Sequence, residues 1–355
     1  MRKLSILYLY SEVMGYTIVT ILALIKKGAE VHVVYKDTDN KTPYILSGFE
    51  NLYLYRRSRY TQRTLKQLAK RVDPQITVVS GWVDKEYLNV ARELRRERKV
   101  VVCGLDGQWQ GSLRQQFARI LGWFSYFHRF FSNAWVAGVY QYEYARKLNF
   151  SKNEIIFDLY SADLDLFARI RNGPSEMKKT EYPHRFLFVG RLEPVKGLDV
   201  LLRAWSLLGE QRKDWELHLI GNGSLRDELI ENPGVVVKDF LQPSELINEF
   251  SNAGCFILPS RAEPWGVVVH ESAAAGLPLI CSDVVGAAVS FLIDGSNGYL
   301  FKSSDFLDLS SKLLNMIQAD DEDIRKMGQI SARLSKKITS DSSAANLLSL
   351  YRNHE

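Results

Sequence analysis

Long apolar runs are missing from this chain. No hydrophobic stretch approaches the ~20 residues a membrane-spanning helix needs, so no transmembrane helix is expected. Cysteine is scarce. Cys103, Cys255 and Cys281 are odd in number, widely spaced and set among apolar neighbours, which fits small core residues of a reducing compartment and not a disulfide framework. Histidine is also scarce, and His128, His184 and His218 show no metal-ligand spacing. His270 and Glu271, adjacent on a helix, point roughly 100° apart, so they make no ligand pair and His270 reads as a packed residue. No short-period repeat is visible. The N-terminus "MRKLSILYLYSEVMGY" lacks a small-residue cleavage site, and Leu4–Tyr10 reads as a buried first strand. The expected location is the cytoplasm.

The 355 residues are enough for two domains. Their net charge of +5 hides an asymmetry: residues 1–160 carry 25 Lys+Arg against 14 Asp+Glu (+11), and the remainder 21 against 27 (−6). A basic half suits phosphates or an anionic membrane surface, although solvated helix faces explain the charge equally well. Short β-branched strands (Leu4–Tyr10, Val31–Tyr35, Ile76–Ser80, Val100–Gly104) alternate with amphipathic helical stretches, the pattern of parallel βαβ units. A polar segment, residues 171–185, interrupts this and is the expected interdomain linker. A second set follows: Phe186–Val189, Glu216–Ile220, Val235–Val237, Cys255–Leu258 and Leu279–Cys281. The expectation is an α/β chain of two Rossmann-like doubly wound domains. The first spans 1–170 and is completed by a 340–355 helix; the second spans 186–339. In such folds ligands bind beyond the carboxyl ends of the strands, so a facing cleft is the expected site.

Two strand ends of the second domain carry chemistry. In "FVGRLEPVKG", Gly190 closes a strand, Arg191 and Lys196 lie on the loop and Gly197 opens a helix; two cations at a helix N-terminus suit a diphosphate. Surface ion pairs with Glu193 explain the cations as well. "LIGNGS" places Gly221 and Gly223 where a ligand could approach the backbone, or where the chain simply turns. In "FILPSRAEPWGVVVHE", Ser260–Gly266 reads as a loop and Val267 as the start of a buried helix ending near Gly276. Glu263 then precedes the helix, Glu271 lies about one turn inside it, and the amides around Trp265–Val267 carry partial positive charge. An acid among Val267–Val269 and Ala273–Ala275 needs a partner.

In this order and spacing "GRLEPVKG", "LIGNGSL", "PSRAEPWGVVVHESAAAGLPLICSD" and "VGAAVSFLIDGSNGYLF" resemble family 4 glycosyltransferases, retaining enzymes of the two-domain GT-B fold that use nucleotide sugars. In the first half only the layout is similar, and "SSAANLLSLYRN" resembles the last helix that crosses back onto the first domain. The resemblance implies that Arg191 and Lys196 bind the donor diphosphate and stabilise the leaving group. It implies that Glu263 receives sugar hydroxyls and Glu271 the ribose. Gly15, Gly190, Gly221, Pro264, Trp265, Gly266 and Val267 complete the expected donor site. No metal and no cofactor is implied, and Asp37–Asp39 and Asp163–Asp165 read as polar loop residues. The first domain departs from the pattern: "SEVMGYT" leaves Gly15 as its only loop glycine, "VVCGLDGQWQGS" has no histidine, and Ser290 replaces an acid. Asp106 is the candidate for the acceptor side, or a turn residue before Gly107.

The implied activity is hexose transfer from a nucleoside-diphosphate sugar, uridine before guanosine, to a hydroxyl of a glycan or lipid-linked glycan, as in cell-surface polysaccharide biosynthesis. Nucleic acid is not among the expected partners. The alternatives are an epimerase or phosphorylase of the same fold, or a noncatalytic nucleotide-sugar or glycan-binding protein. One segment stands apart. In "GSLRQQFARILGWFSYFHRFFSNAWVAG", Leu113, Phe117, Ile120, Leu121, Phe124, Phe127 and Phe131 fall on one helical face, with Trp123, Tyr126 and Phe130 beside it and Arg114, Arg119 and Arg129 among them. This is either a contact for a lipid-linked acceptor or the membrane interface, or a helix sandwiched within the core.

Overall fold

The computed structural model describes residues 3–36, 49–172 and 182–352; Asp37–Asp39 and residues 173–181 of the expected linker lie outside these. The chain divides into two units, Met1–Ser161 with Ile338–Glu355, and Ala162–Lys337. The helix Leu164–Asn172 therefore belongs to the second unit, ahead of the expected linker.

The first unit is a parallel sheet of β1 (Ser5–Tyr10), β2 (Glu30–Tyr35), β3 (Leu52–Arg56), β4 (Ile76–Val79), β5 (Val100–Leu105), β6 (Asn133–Val136) and β7 (Ile155–Ile156). The second contains β8 (Arg185–Val189), β9 (Glu216–Ile220), β10 (Val235–Lys238), β11 (Cys255–Leu258), β12 (Leu279–Ser282) and β13 (Gly298–Phe301). The orders are β3-β2-β1-β4-β5-β6-β7 and β10-β9-β8-β11-β12-β13. All these pairings are parallel. Central strands buried on both faces read as continuous apolar runs, and β1, β4, β11 and β12 are buried along their whole length. The strand order reverses between β1 and β4 and between β8 and β11, and each reversal opens a crevice beyond the strand ends. The three cysteines are free and buried, as expected of core residues.

The C-terminal helix Ser340–Arg352 packs on the Gly15–Lys26 helix of the first unit. Asp158 anchors it: its carboxylate accepts from Ser342 Oγ (3.1 Å) and Asn346 Nδ2 (3.1 Å), and its carbonyl from Ser343 Oγ (2.5 Å). Lys27 adds an ion pair with Asp341 at 2.9 Å.

The aromatic segment corrects the sequence reading twice. Its helix runs only over Leu113–Trp123, because Ser125 turns the chain with φ +54° and a 3₁₀ turn, Phe127–Arg129, follows. Phe127, Phe130 and Phe131 then enter the core of the first unit. The helix itself is not sandwiched: it buries Ala118 and Gly122, half-buries Leu121 and leaves Leu113, Phe117, Ile120 and Trp123 exposed. Among the described residues no helix is long and apolar enough to cross a membrane.

Candidate active site

The β8/β11 reversal brings the two motif loops of the second unit together. Gly190 follows β8, its amide held by the Ile220 carbonyl at 2.9 Å. Arg191 stands exposed just beyond. Pro194–Lys196 form a 3₁₀ turn, and Gly197, at φ +66°, caps the Leu198–Leu208 helix. The loops pack so closely that a Cβ on Gly197 would lie 2.1 Å from the Pro259 carbonyl oxygen. Gly221 is tighter still: φ is +145°, and a Cβ would lie 1.9 Å from the Gly190 carbonyl oxygen. A close backbone approach, and not a simple turn, requires that glycine. Glu193 accepts from the Ser224 amide (3.2 Å) and hydroxyl (2.7 Å), which ties the two glycine-bearing loops together.

Across from this loop, Lys196 Nζ donates to Glu263 Oε2, and both side chains are largely buried. The backbone around Glu263 is fixed from the segment after β12. The carbonyl of Glu263 accepts from Gly286 (3.1 Å), that of Trp265 from Ala287 (2.8 Å), and Ser282 Oγ donates to the Ser260 carbonyl (2.6 Å). Pro264 is exposed, Trp265 is buried, and Gly266 at φ +88° caps the helix Val267–Ala275 with no side-chain cap. The Val269 amide donates back to the Gly266 carbonyl (3.0 Å), and the helix begins beside Glu263, whose Cγ would lie 3.0 Å from a Cβ on Gly266.

Glu271 lies one turn inside the same helix. Burial, with a smaller contribution from the Asp163 carboxylate, raises its pKa to about 7. Asp163 lies in the loop, as expected, and its carboxylate accepts from the Leu166 amide (3.0 Å), while Asp165 is not a loop residue but sits in the first turn of the Leu164–Asn172 helix. His270 is packed, stacked on Phe291 with ring centroids 4.1 Å apart. Its Nδ1 accepts from the Ala162 amide (3.1 Å) and its Nε2–H donates to the Ser335 carbonyl (2.8 Å). Those partners fix a neutral tautomer, and burial lowers the pKa to about 4.

These neighbours act on stability with opposite signs. His270 is lowered from 6.5 to about 4, so its contribution is complete above 6.5 and is lost as pH falls toward 4. Glu271 is raised from 4.5 to about 7, so its contribution is complete below 4.5 and is lost as pH rises through 7. In thermal melts across pH, Glu271→Gln is expected to remove the second loss. The Tm difference between variant and parent should grow as pH rises from 4.5 to 7; a constant difference would refute the assignment.

One pair was not anticipated from sequence. Arg261 forks onto Asp199 (2.6 and 2.5 Å) and donates to the Pro194 carbonyl (2.8 Å), while its amide donates to Val195 (2.8 Å). The guanidinium holds the Asp199 carboxyl below the usual range. Arg261 thereby fixes the Glu263 loop against the Lys196 loop. A signal existed in an arginine beside the motif and an acid in the first turn of the next helix, but nothing in the sequence joined them.

The other candidates lie in the first unit. Asp106 is the first residue after β5, exposed, and Tyr160 Oη donates to it at 3.2 Å. Asp106 borders a cavity of about 510 Å³ at the β1/β4 reversal, shared with Tyr10, Glu12, Tyr16, Lys36 and Tyr160. Gly15 heads the neighbouring helix beside lining residues Met14 and Tyr16. Burial and the surrounding acids and phenols hold the Tyr10 and Tyr160 hydroxyls protonated, so they donate. The ten remaining candidates, from Gly190 to Glu271, all belong to the second unit.

The family model described as Glycosyl transferases group 1 matches residues 173–333. An uncharacterised glycosyltransferase of Methanocaldococcus jannaschii is 35% identical over 163 residues, covering 43% of each chain. The chain's match spans less than half the length of the curated relatives. Among solved structures, sucrose-phosphate synthase from Thermosynechococcus elongatus superposes with TM-score 0.73 at 18% identity, over 99% of both chains. Anabaena HepE in complex with UDP-glucose superposes with TM-score 0.74 at 13% identity, over 98% of this chain and 99% of that one. At these identities the neighbours speak for the fold: two parallel sheets flanked by helices, in the GT-B arrangement of the order of elements. Residues 173–333 of the chain are thus similar to the group 1 glycosyl transferases.

Proposed function

We propose that this protein is a retaining, metal-independent hexosyltransferase that moves a sugar from a uridine-diphosphate donor to a hydroxyl of a glycan or lipid-linked glycan. Guanosine is the second choice of base. The observation that carries the reading is the contact between Lys196 and Glu263 at the β8/β11 reversal. In a nucleotide sugar the β-phosphate and the transferred sugar are bonded neighbours, so their ligands must also be neighbours. Lys196 and Arg191 hold the diphosphate, and Glu263 receives the sugar hydroxyls. Glu271, one turn into the helix, receives the ribose. Gly190, Gly221, Pro264, Trp265, Gly266 and Val267 supply backbone around the ligand, and Gly15 is kept as a further donor-binding candidate.

In the reaction the bond from the anomeric carbon to the diphosphate oxygen breaks, and the acceptor oxygen bonds to that carbon. Negative charge grows on the departing phosphate, where fixed cations and amides stabilise it most. Asp106 is proposed to accept the acceptor's proton. The buried thiols and the basic first unit support a cytoplasmic protein in peripheral contact with the inner face of the membrane.

A thermal-shift screen against uridine, guanosine and adenosine diphosphate sugars, with and without EDTA, tests this. The expected result is the largest shift with a uridine donor, unchanged by EDTA. No shift with any of them would contradict the donor site, and loss with EDTA would contradict metal independence. Slow release of nucleoside diphosphate without acceptor separates an enzyme from a binding protein. Because ribose hydroxyls donate to an ionised Glu271, donor affinity should rise with pH through about 7; a flat profile would remove Glu271 from the ribose. Arg261→Lys keeps the charge and loses the fork, so donor affinity should fall about tenfold with little change in Tm. Calorimetric titration reads this, and unchanged affinity would show that the Arg261–Asp199 tie does not position the site.

A further inference from the structure

The Leu113–Trp123 helix is inverted relative to an ordinary surface helix. Leu113, Phe117, Ile120 and Phe124 fall within a narrow arc at about 100° per residue, and they are 84%, 62%, 47% and 75% exposed, with Trp123 at 64% beside them. The buried side is small, Ala118 and Gly122, and a Cβ on Gly122 would lie 2.7 Å from the Leu148 carbonyl oxygen. That close approach seats the helix against the end of the Val139–Lys147 helix. Between the two helices is a cavity of about 500 Å³ lined by Arg119, Trp123, Tyr142, Glu143, Arg146 and Lys147. Three cations face one acid there. Just past the helix, Arg92, Arg95, Arg96, His128 and Arg129 line a second basic hollow of about 470 Å³. Arg119 lies over the Trp123 ring at 5.4 Å, a cation held at the edge of the apolar arc.

We propose that this face docks on an anionic phospholipid surface, with the apolar arc entering the headgroup layer and Arg119, Arg146 and Lys147 holding a lipid phosphate. The inference rests on the peripheral membrane contact proposed above and names its helix, its headgroup site and its lipid chemistry. An apolar arc of Phe, Trp, Leu and Ile flanked by arginines matches a surface that is apolar within and negative at its boundary. A second copy of the chain is disfavoured, since a symmetric contact would bring two patches that each carry Arg114, Arg119, Arg146 and Lys147 together.

Co-sedimentation with phosphatidylcholine vesicles, with and without phosphatidylglycerol, at low and high salt, tests the proposal on the full chain. The parent should bind the anionic vesicles at low salt at least tenfold better than the neutral ones. Arg119→Gln/Lys147→Gln should lose about thirtyfold of that affinity. Phe117→Ser/Phe124→Ser should abolish the binding that survives high salt. Both variants should keep the parent's Tm and its UDP affinity, which separates failure here from failure of the donor site. A parent that stays in the supernatant would overturn membrane contact altogether. A parent that binds while both variants bind equally well would overturn this face as the site, as would a concentration-dependent dimer abolished by Phe117→Ser/Phe124→Ser.

Discussion

Glu263→Ala is expected to lower turnover by about 10²–10³-fold while leaving nucleotide affinity within about threefold of the parent. The carboxylate lies at the head of the Val267–Ala275 helix and touches Lys196, and in the proposed site it stands where the bond between sugar and diphosphate breaks. Removing it takes away a charged acceptor for the sugar hydroxyls and leaves Lys196 free to grip the diphosphate more tightly. Steady-state kinetics with saturating donor, paired with UDP titration, separates these effects. A variant with normal turnover and weakened UDP binding would move Glu263 from the sugar to the nucleotide.

Gly221→Ala should destabilise the protein by about 3–5 kcal/mol, a fall in Tm of roughly 10 °C. Two costs combine. The residue sits at φ +145°, which a side chain rarely adopts, and its Cβ would be 1.9 Å from the Gly190 carbonyl oxygen. Neither partner can yield without moving a loop, because Gly190 is itself bonded to the end of β9 through Ile220. Gly209→Ala is the control: that glycine also has a positive φ, +50°, but no heavy atom lies within 4 Å of its Cβ. It should cost about 1 kcal/mol. Thermal denaturation of both decides the point, and equal effects would show that backbone strain and not loop contact governs Gly221.

Much of this arrangement was legible in the sequence, for identifiable reasons. Strands buried on both faces, such as β1 and β11, are apolar throughout and stand out. The four strands not read from the sequence are short or lie toward sheet edges: Leu52–Arg56 alternates beside a basic run, Asn133–Val136 has four residues at the end of the aromatic segment, Ile155–Ile156 has two, and Gly298–Phe301 has four behind a glycine. The Glu263 loop and the helix start at Val267 were readable because proline, glycine and valines mark the turn locally. What escaped was long-range pairing. Arg261 meets Asp199 across 62 residues, His270 meets Ala162 across 108, and neither relation leaves a periodic trace. The Leu113–Trp123 helix shows the same limit in another form. Periodicity identified which residues share a face, but not that the face points to solvent, because small Ala118 and Gly122 make the better inward packing.

The second unit is proposed to hold a nucleotide sugar by its two ends, with Glu271 on the ribose and Glu263 on the sugar. Calorimetric titration of UDP, which has a ribose and no transferred sugar, into the parent, Glu263→Ala and Glu271→Ala tests that division most directly. The account predicts that Glu271→Ala weakens UDP binding by about 10–100-fold, the worth of hydrogen bonds to a charged group, and that Glu263→Ala hardly changes it. Equal losses in the two variants, or no binding of UDP by the parent, would contradict it.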